Sequence, residues 1–374
     1  MTVANMISAA SGVIEPPDLW QARLPQRFSD LCPRIEETVA GLTWRVGKHI
    51  GEVLSYPGLA GSGKEERLTK RDLQNYSSSK GRIWIQNRDS VTCEVLYSVG
   101  QVWDLIARSG DDEFIQCCYG AYNDWASELQ KADPARFVCV AKIPTTGIGA
   151  ATAEIERAGR LGLRSAVLDV WPAGAKTPVR AKKCDGFWAA AAQQKMPVAI
   201  YRPLSGDKDE EFDDSPEFIQ DISAIMFANI FDRYPDLKIV SVAPHVGWAL
   251  RLFEQMSDQY MRTAALRKSH LGNSDMLPGD YMRSFVWYTT QNDRTTILNR
   301  TYFGAAHLMF ASFAFMPASS WPNTRQMFAR VTSGMNDDEQ LVLADEVASR
   351  LYGLGNAKPF SLQEANEYLK YGLL

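Results

Sequence analysis

The sequence predicts an α/β fold, a (β/α)8 barrel of the TIM type with an inserted segment near the N-terminus, and three observations carry that reading. The chain has 374 residues, enough for one large barrel or two ordinary domains, and enough to bury a sizeable core. Stretches with strand-like patterns alternate with amphipathic helical ones, which favours a parallel sheet over an all-α or sandwich fold. The strand–helix–strand unit also recurs at the spacing of barrel repeats.

Taken in order, the first candidate strand leads into Ser8–Gly12, where Ala9, Ala10, Ser11 and Gly12 supply no acid, base or metal ligand at a strand end. Residues from about 41 to 82 are rich in Gly, Ser and Lys and read as an exposed excursion. Within it, GLAGSGKE (58–65) has the Gly-x4-Gly-Lys part of a phosphate loop. Glu65 stands where that loop needs a Ser or Thr for magnesium, so nucleotide binding is not predicted.

Cys117 and Cys118 lie in an apolar run and read as packing rather than as nucleophiles. The regular units follow: strand 137–143, helix 151–161, strand 165–169, helix 185–194, strand 198–201, helix 216–234, strand 237–242 and helix 247–262. Residues from about 267 to 280 read as a long loop, and NDDEQ at Asn336 as a capped helix start with an acidic first turn. Neither irregular stretch needs to be a separate domain, so the reading is one barrel domain over residues 1–374.

Composition narrows the partners. A formal net charge of −4 leaves no basic excess to neutralise phosphates, which argues against nucleic acid. No apolar run approaches the roughly 20 residues of a membrane helix. The six cysteines lack Cys-x-x-Cys spacing and the start lacks the basic and apolar regions of a signal peptide, so reduced thiols in a cytoplasmic protein are expected. Small molecules are the expected partners, and no cofactor is expected.

VIEPPDLW, YNDWASEL with ADPARF, AEIERAGRLGLR, PDLKIV, and ASSWPN with RLYGL together resemble the amidohydrolase-related barrel proteins. The branch resembled contains aminocarboxymuconate semialdehyde decarboxylase and resorcylate-type decarboxylases, and the likeness runs in order from about residue 6 to 355. It implies an amidohydrolase-type barrel and a divalent metal. That metal would be held by an acid-x-His or His-x-His pair after the first strand, a His after the fifth and an Asp after the eighth, with a His or Glu after the sixth assisting.

Here those positions carry other residues. Against S-A-D-S-H-V-x-E-P-P the chain reads SAASGVIEPP, with Ala10 in place of the acid and Gly12 in place of the His. Tyr201 stands for the fifth-strand His, Phe313 for the Asp and Met316 for the His that follows it. Ala243 takes the sixth-strand position, although His245 follows two residues later, and a continuing strand would put both on one face. The ligand accounting therefore predicts no bound metal.

Catalysis would then fall to groups still placed at strand ends. His245 and Asp169 would cycle protons, Lys142 or Arg202 would stabilise developing negative charge, and Tyr201 would complete the set. Trp248, Trp287, Phe313 and Met316, with Arg202, would form an apolar or aromatic substrate site. The same rings could instead fill the vacated cavity as core. His49 and His270 in expected loops, and His307 at the amino end of the eighth strand, are poorly placed for chemistry.

The leading expectation is a metal-independent acid–base lyase, decarboxylase or cyclase acting on a small apolar or aromatic substrate, possible in specialised metabolism. The alternatives are a catalytically inert homologue that binds a ligand or stabilises a partner subunit, and a metal-dependent hydrolase or decarboxylase with relocated ligands. A homodimer, or a heteromer with a homologue, is the expected assembly.

Overall fold

A computed structural model describes residues 5–57, 65–98, 100–169, 171–173, 183–201, 216–243, 245–263, 271–273, 275–303 and 305–355. The first strand, β1 (Ile7–Val13), is followed by an inserted segment with β2 (Arg34–Thr38), β3 (Gly41–Val46), β4 (His49–Val53), β5 (Ser55–Pro57) and β6 (Glu65–Arg67). The regular repeat then supplies β7 (Cys93–Ser98), β8 (Phe137–Lys142), β9 (Ser165–Leu168), β10 (Val198–Tyr201), β11 (Ile239–Val242), β12 (Val286–Thr290) and β13 (Leu308–Phe310). Eight parallel strands run in the order β1-β7-β8-β9-β10-β11-β12-β13 with helices between them, the architecture of a (β/α)8 barrel.

Two backbone bonds bring the ends of that sheet together: Phe313 N–H donates to the Ala10 carbonyl at 2.9 Å and Gly12 N–H to the Ala314 carbonyl at 2.7 Å. The strand pleat sorts side chains by parity. Cys93, Val95, Tyr97, Val138, Val140, Val167, Ala199, Val240, Val242, Trp287, Met309 and Ala311 form one buried cluster, the lumen. Their neighbours Leu96, Phe137, Cys139, Ala166, Leu168, Val198, Ile200, Ile239, Val286, Tyr288, Leu308 and Phe310 face the helices in a second cluster.

Several expectations need correction. The blank stretch does not lie past the end of the first strand; Ala9, Ala10, Ser11 and Gly12 are within β1, which carries a bulge between Ser8 and Ser11. The segment expected as exposed over about 41 to 82 instead supplies β3 and β4, which pair with β2 in an antiparallel sheet, and helix Lys70–Tyr76 with the start of helix Ser79–Asp89. It buries Leu42, Trp44, Val46 and Arg82, with Trp44 meeting Trp20 edge-on at 5.3 Å. His49 therefore begins a strand rather than sitting in a loop. The helix expected over 216–234 is interrupted at Asn229, whose φ of 56° is left-handed, giving Pro216–Phe227 and Ile230–Arg233.

The expected loop from about 267 to 280 ends early, because helix Pro278–Phe285 starts at its proline. His270, the remainder of the phosphate-loop-like stretch before Glu65, and Arg202 lie outside the described residues. Asn336 does cap helix Asp337–Leu341: its side chain accepts from Glu339 N–H, and the Glu339 carboxylate accepts from Asn336 N–H. Among the described residues no helix is long and apolar enough to cross a membrane.

Candidate active site at the carboxyl ends of the strands

Barrel enzymes present their chemistry where the strands end. On β8 the lumen-facing parity set by Val138 and Val140 reaches Lys142; beyond β9 the parity of Val167 reaches Asp169; on β10 that of Ala199 reaches Tyr201. Three adjacent strands thus deliver an amine, a carboxylate and a phenol to one end of the lumen. Lys142 Nζ forms an ion pair with Asp169 Oδ2, donates to the Ser98 carbonyl at 3.4 Å, and sits 5.0 Å from the centre of the Trp103 ring. The Lys142 side chain is 4% exposed, whereas that of Asp169 is 25% exposed, so the pair is approached from the carboxylate side. Burial, and then the negative charge of Asp169, push the Tyr201 phenol well above its usual pKa, and it holds its proton at neutral pH.

A further acid stands behind this group. Glu15, just past β1, is fully buried; it accepts from the Ser98 hydroxyl and, at 3.4 Å, from Trp103 Nε1. Burial raises its pKa against the opposing pull of these bonds and of Lys142. Sequence reasoning did not single out Glu15, Ser98 or Trp103 as site residues, although Glu15 belongs to the quoted VIEPPDLW. Burial raises the pKa of Tyr119, on the long helix Asp112–Ala132, and the charge of Asp169 adds to the shift.

The other expected residues take varied places. His245 is exposed in the turn after β11, which stops at Val242, so it does not share a strand face with Ala243. The turn is held by Asp293, which accepts from Val246 N–H and Gly247 N–H at 2.8 and 2.9 Å. Trp248 does not line the lumen: on helix Gly247–Arg262 it packs in the outer layer, 6.3 Å from the Tyr288 ring. Trp287 does face the lumen but at its amino end, stacked 4.5 Å from His307, whose Nδ1 is 2.9 Å from the Val286 carbonyl. Burial lowers the His307 pKa to about 4. Phe313 and Met316 are both buried in the lumen cluster.

A family model for amidohydrolases matches residues 100–354. The chain belongs to the amidohydrolase family. Solved amidohydrolase-type barrels share its fold. An amidohydrolase from Mycobacterium avium subsp. paratuberculosis is 17% identical with a TM-score of 0.73, covering 93% of this chain and 99% of its own. A 5-carboxyvanillate decarboxylase from Sphingomonas paucimobilis is 16% identical with a TM-score of 0.64, covering 94% and 100%. The 5-carboxyvanillate decarboxylase of Novosphingobium aromaticivorans, solved with manganese and 4-hydroxy-3-methoxy-5-nitrobenzoic acid, is 14% identical with a TM-score of 0.64, covering 94% and 96%. No curated protein matches the sequence significantly.

The amidohydrolase resemblance implies a metal, and the described residues at the positions it assigns to the ligands do not fit one. At the seam between β1 and the segment after β13, the lumen holds Ala10, Phe313 and Met316, which offer no hard donor. The polar atoms nearby are spoken for: Ser8 Oγ lies 2.9 Å from Ser11 Oγ and 2.8 Å from Ser312 Oγ, and accepts from Ser312 N–H at 2.9 Å. These are neutral hydroxyls satisfying one another, not a ligand set. Among the described residues no group of three or more His, Cys, Asp or Glu side chains converges as a metal site.

Proposed function

We propose that this amidohydrolase is a carbon–carbon lyase that works without a bound metal, with decarboxylation of a small aromatic or apolar acid as its reaction. The observation that carries the reading is the Lys142–Asp169 pair beside Tyr201 at the carboxyl end of an apolar lumen. In this reading Lys142 stabilises negative charge as the bond breaks, Asp169 relays protons, and the Tyr201 phenol donates one to carbon. His245, exposed at the turn after β11, exchanges protons with solvent. Arg202, Phe313 and Met316 would contact the substrate. The aromatic-acid decarboxylases among the fold relatives support the substrate class.

The test is carbon dioxide release by chelator-treated protein from small aromatic acids of two kinds: hydroxybenzoic acids, 2,6-dihydroxybenzoate and 5-carboxyvanillate among them, and the β-keto acid benzoylacetate. Turnover should survive chelation and fall by ~10²-fold or more in Asp169→Asn and Lys142→Met, the scale of a lost acid–base or charge-stabilising group. Loss of turnover on chelation, restored by manganese, would overturn the metal-independent reading.

One observation favours a second reading. Phe313 and Met316, 2% and 1% exposed, can serve as a plug rather than a pocket lining. The chain would then be an inert homologue that stabilises a partner subunit, as a homodimer or with an active relative. Turnover by the purified chain alone would remove that reading.

A further inference from the structure

We infer that Lys142 is a nucleophile that forms an imine with a ketone substrate, and that the substrate class of this site is a β-keto acid or a related β-dicarbonyl compound. The inference rests on the proposed lyase reading and gives it a covalent step.

The choice of cation is the first argument. Elsewhere in the fold a buried pair that needs only charge uses arginine: Arg82 meets both carboxylate oxygens of Glu94, through Nε at 2.6 Å and Nη2 at 2.7 Å. A guanidinium suits that fork and does not lose its proton, whereas a lysine amine can be deprotonated and attack. At the carboxyl end of β8 the buried cation is a lysine, bonded to Asp169 through its one terminal nitrogen.

The second argument is geometry. The Trp103 face and the Ser98 carbonyl fix Nζ on the inner side, while Asp169 stands between it and the more exposed side. A carbonyl compound entering past Asp169 therefore meets the amine and its proton acceptor together. The third argument is the need for an electron sink. Breaking a carbon–carbon bond releases an electron pair, and among the described residues no group of three or more His, Cys, Asp or Glu side chains converges to hold a divalent ion that could receive it. A protonated imine at Nζ supplies that sink within the chain's own chemistry.

The step balances as follows. The Lys142 ammonium passes a proton to Asp169, and Nζ attacks the carbonyl carbon as the C=O π bond breaks. The nitrogen of the adduct gives a proton to the oxygen, and Asp169 returns its proton so that the hydroxyl leaves as water. One ammonium and one ketone thus become one protonated imine and one water. Cleavage of the bond to the β-carboxylate turns its electron pair into a new C=C bond as the C=N π pair moves onto the protonated nitrogen, releasing carbon dioxide and leaving an enamine. Tyr201 protonates the carbon and regains a proton from solvent, the one that net decarboxylation consumes. Water then hydrolyses the imine, returning the amine and the ketone product.

The experiment incubates the full chain with benzoylacetate and sodium cyanoborohydride and maps modified lysines by peptide mass spectrometry. Selective reductive alkylation of Lys142, at least ~10-fold above any surface lysine, is expected of a site that holds the amine beside its base. Lys142→Arg keeps a cation beside Asp169, so it preserves the pair while removing the nucleophile. It should show no preferential label at that position. Asp169→Asn, which retains the amine but loses the proton acceptor, should label at Lys142 more slowly. Labelling confined to surface lysines in a folded protein would overturn the inference. Chelator-resistant, Lys142-dependent turnover without label would also overturn it while leaving the lyase reading intact. Label at Lys142 without carbon dioxide release would support the imine and fail the decarboxylase reading.

Discussion

Asp89 ends helix Ser79–Asp89, and its carboxylate is nearly buried where it accepts from Thr324 N–H at 2.9 Å. Burial raises its pKa from 3.8 to about 6, with the Thr324 bonds opposing and the charge of Glu94 assisting. A raised folded-state value means the folded chain binds a proton that the unfolded chain has released. Its contribution is full below about pH 4 and is lost as pH rises through about 6. Asp89→Asn can keep the Thr324 acceptor without the buried charge. Denaturant titrations should find the variant more stable than the parent at pH 7.5, by up to about 3 kcal/mol for a two-unit shift, with the gap closing toward pH 4. A pH-independent difference would mean that this carboxyl is solvated. His307 acts in the opposite sense: its depressed value of about 4 contributes stability at neutral pH that is lost as pH falls from 6.5 through 4.

Between elements, the inserted helix Ser79–Asp89 is tied to the barrel by Arg82. Besides Glu94 on β7, its guanidinium donates to the Gly12 carbonyl on β1 at 2.8 Å and lies 4.9 Å from the Phe315 ring. Arg82→Met would leave Glu94 buried without its partner, a loss of about 3–5 kcal/mol, whereas Arg82→Met with Glu94→Gln removes both charges and should recover a large part of it. A double-mutant cycle by chemical denaturation measures the coupling; simple additivity would show that Glu94 is not desolvated. This contact also marks the limit of what the sequence disclosed. The strands β8 to β11 and their helices were legible because alternation and helical periodicity are local. The Arg82–Glu94 pair and the Glu15–Ser98–Trp103 group were not, because they join residues across turns whose geometry no local pattern carries. Lys142, Asp169 and Tyr201 were legible as strand-end residues, since parity and strand length fix both the face and the level. Trp287 shows what happens when only one is known: parity places it inward, but its position early in β12 puts it beside His307 at the wrong end. Trp248 was misplaced because a helix's inward face packs on the outside of the sheet, not within it.

For the molecule as a whole, the question is whether the lumen is a binding site or a sealed core, and Phe313 decides it. Its backbone is left-handed at φ 50°, a strained conformation for a bulky residue, and Phe315 two positions on has φ 61°. The chain holds this bend because Phe313 N–H bonds Ala10 across the seam, Ser320 N–H and its hydroxyl bond the Ser312 carbonyl, and Gln291 Nε2 bonds the same carbonyl. The ring is thereby held within the lumen cluster that also contains Ala10 and Met316, at the place where the resemblance puts a metal. If it is core, Phe313→Ala leaves a cavity and loses about 3–5 kcal/mol, the usual scale for a buried ring, and small apolar aromatics such as benzene or indole should restore part of the loss by filling it. If it instead lines a site open to substrate, the neighbouring space is already hydrated and the variant should lose less, with little rescue by the same compounds. Thermal unfolding of parent and variant, with and without saturating indole, separates the two. Rescue confined to the variant would place the plug at the seam and leave the chemistry to the Lys142–Asp169–Tyr201 side of the mouth. Stabilisation of the parent itself would mean that an aromatic pocket already exists beside Phe313, as the proposed substrate class requires.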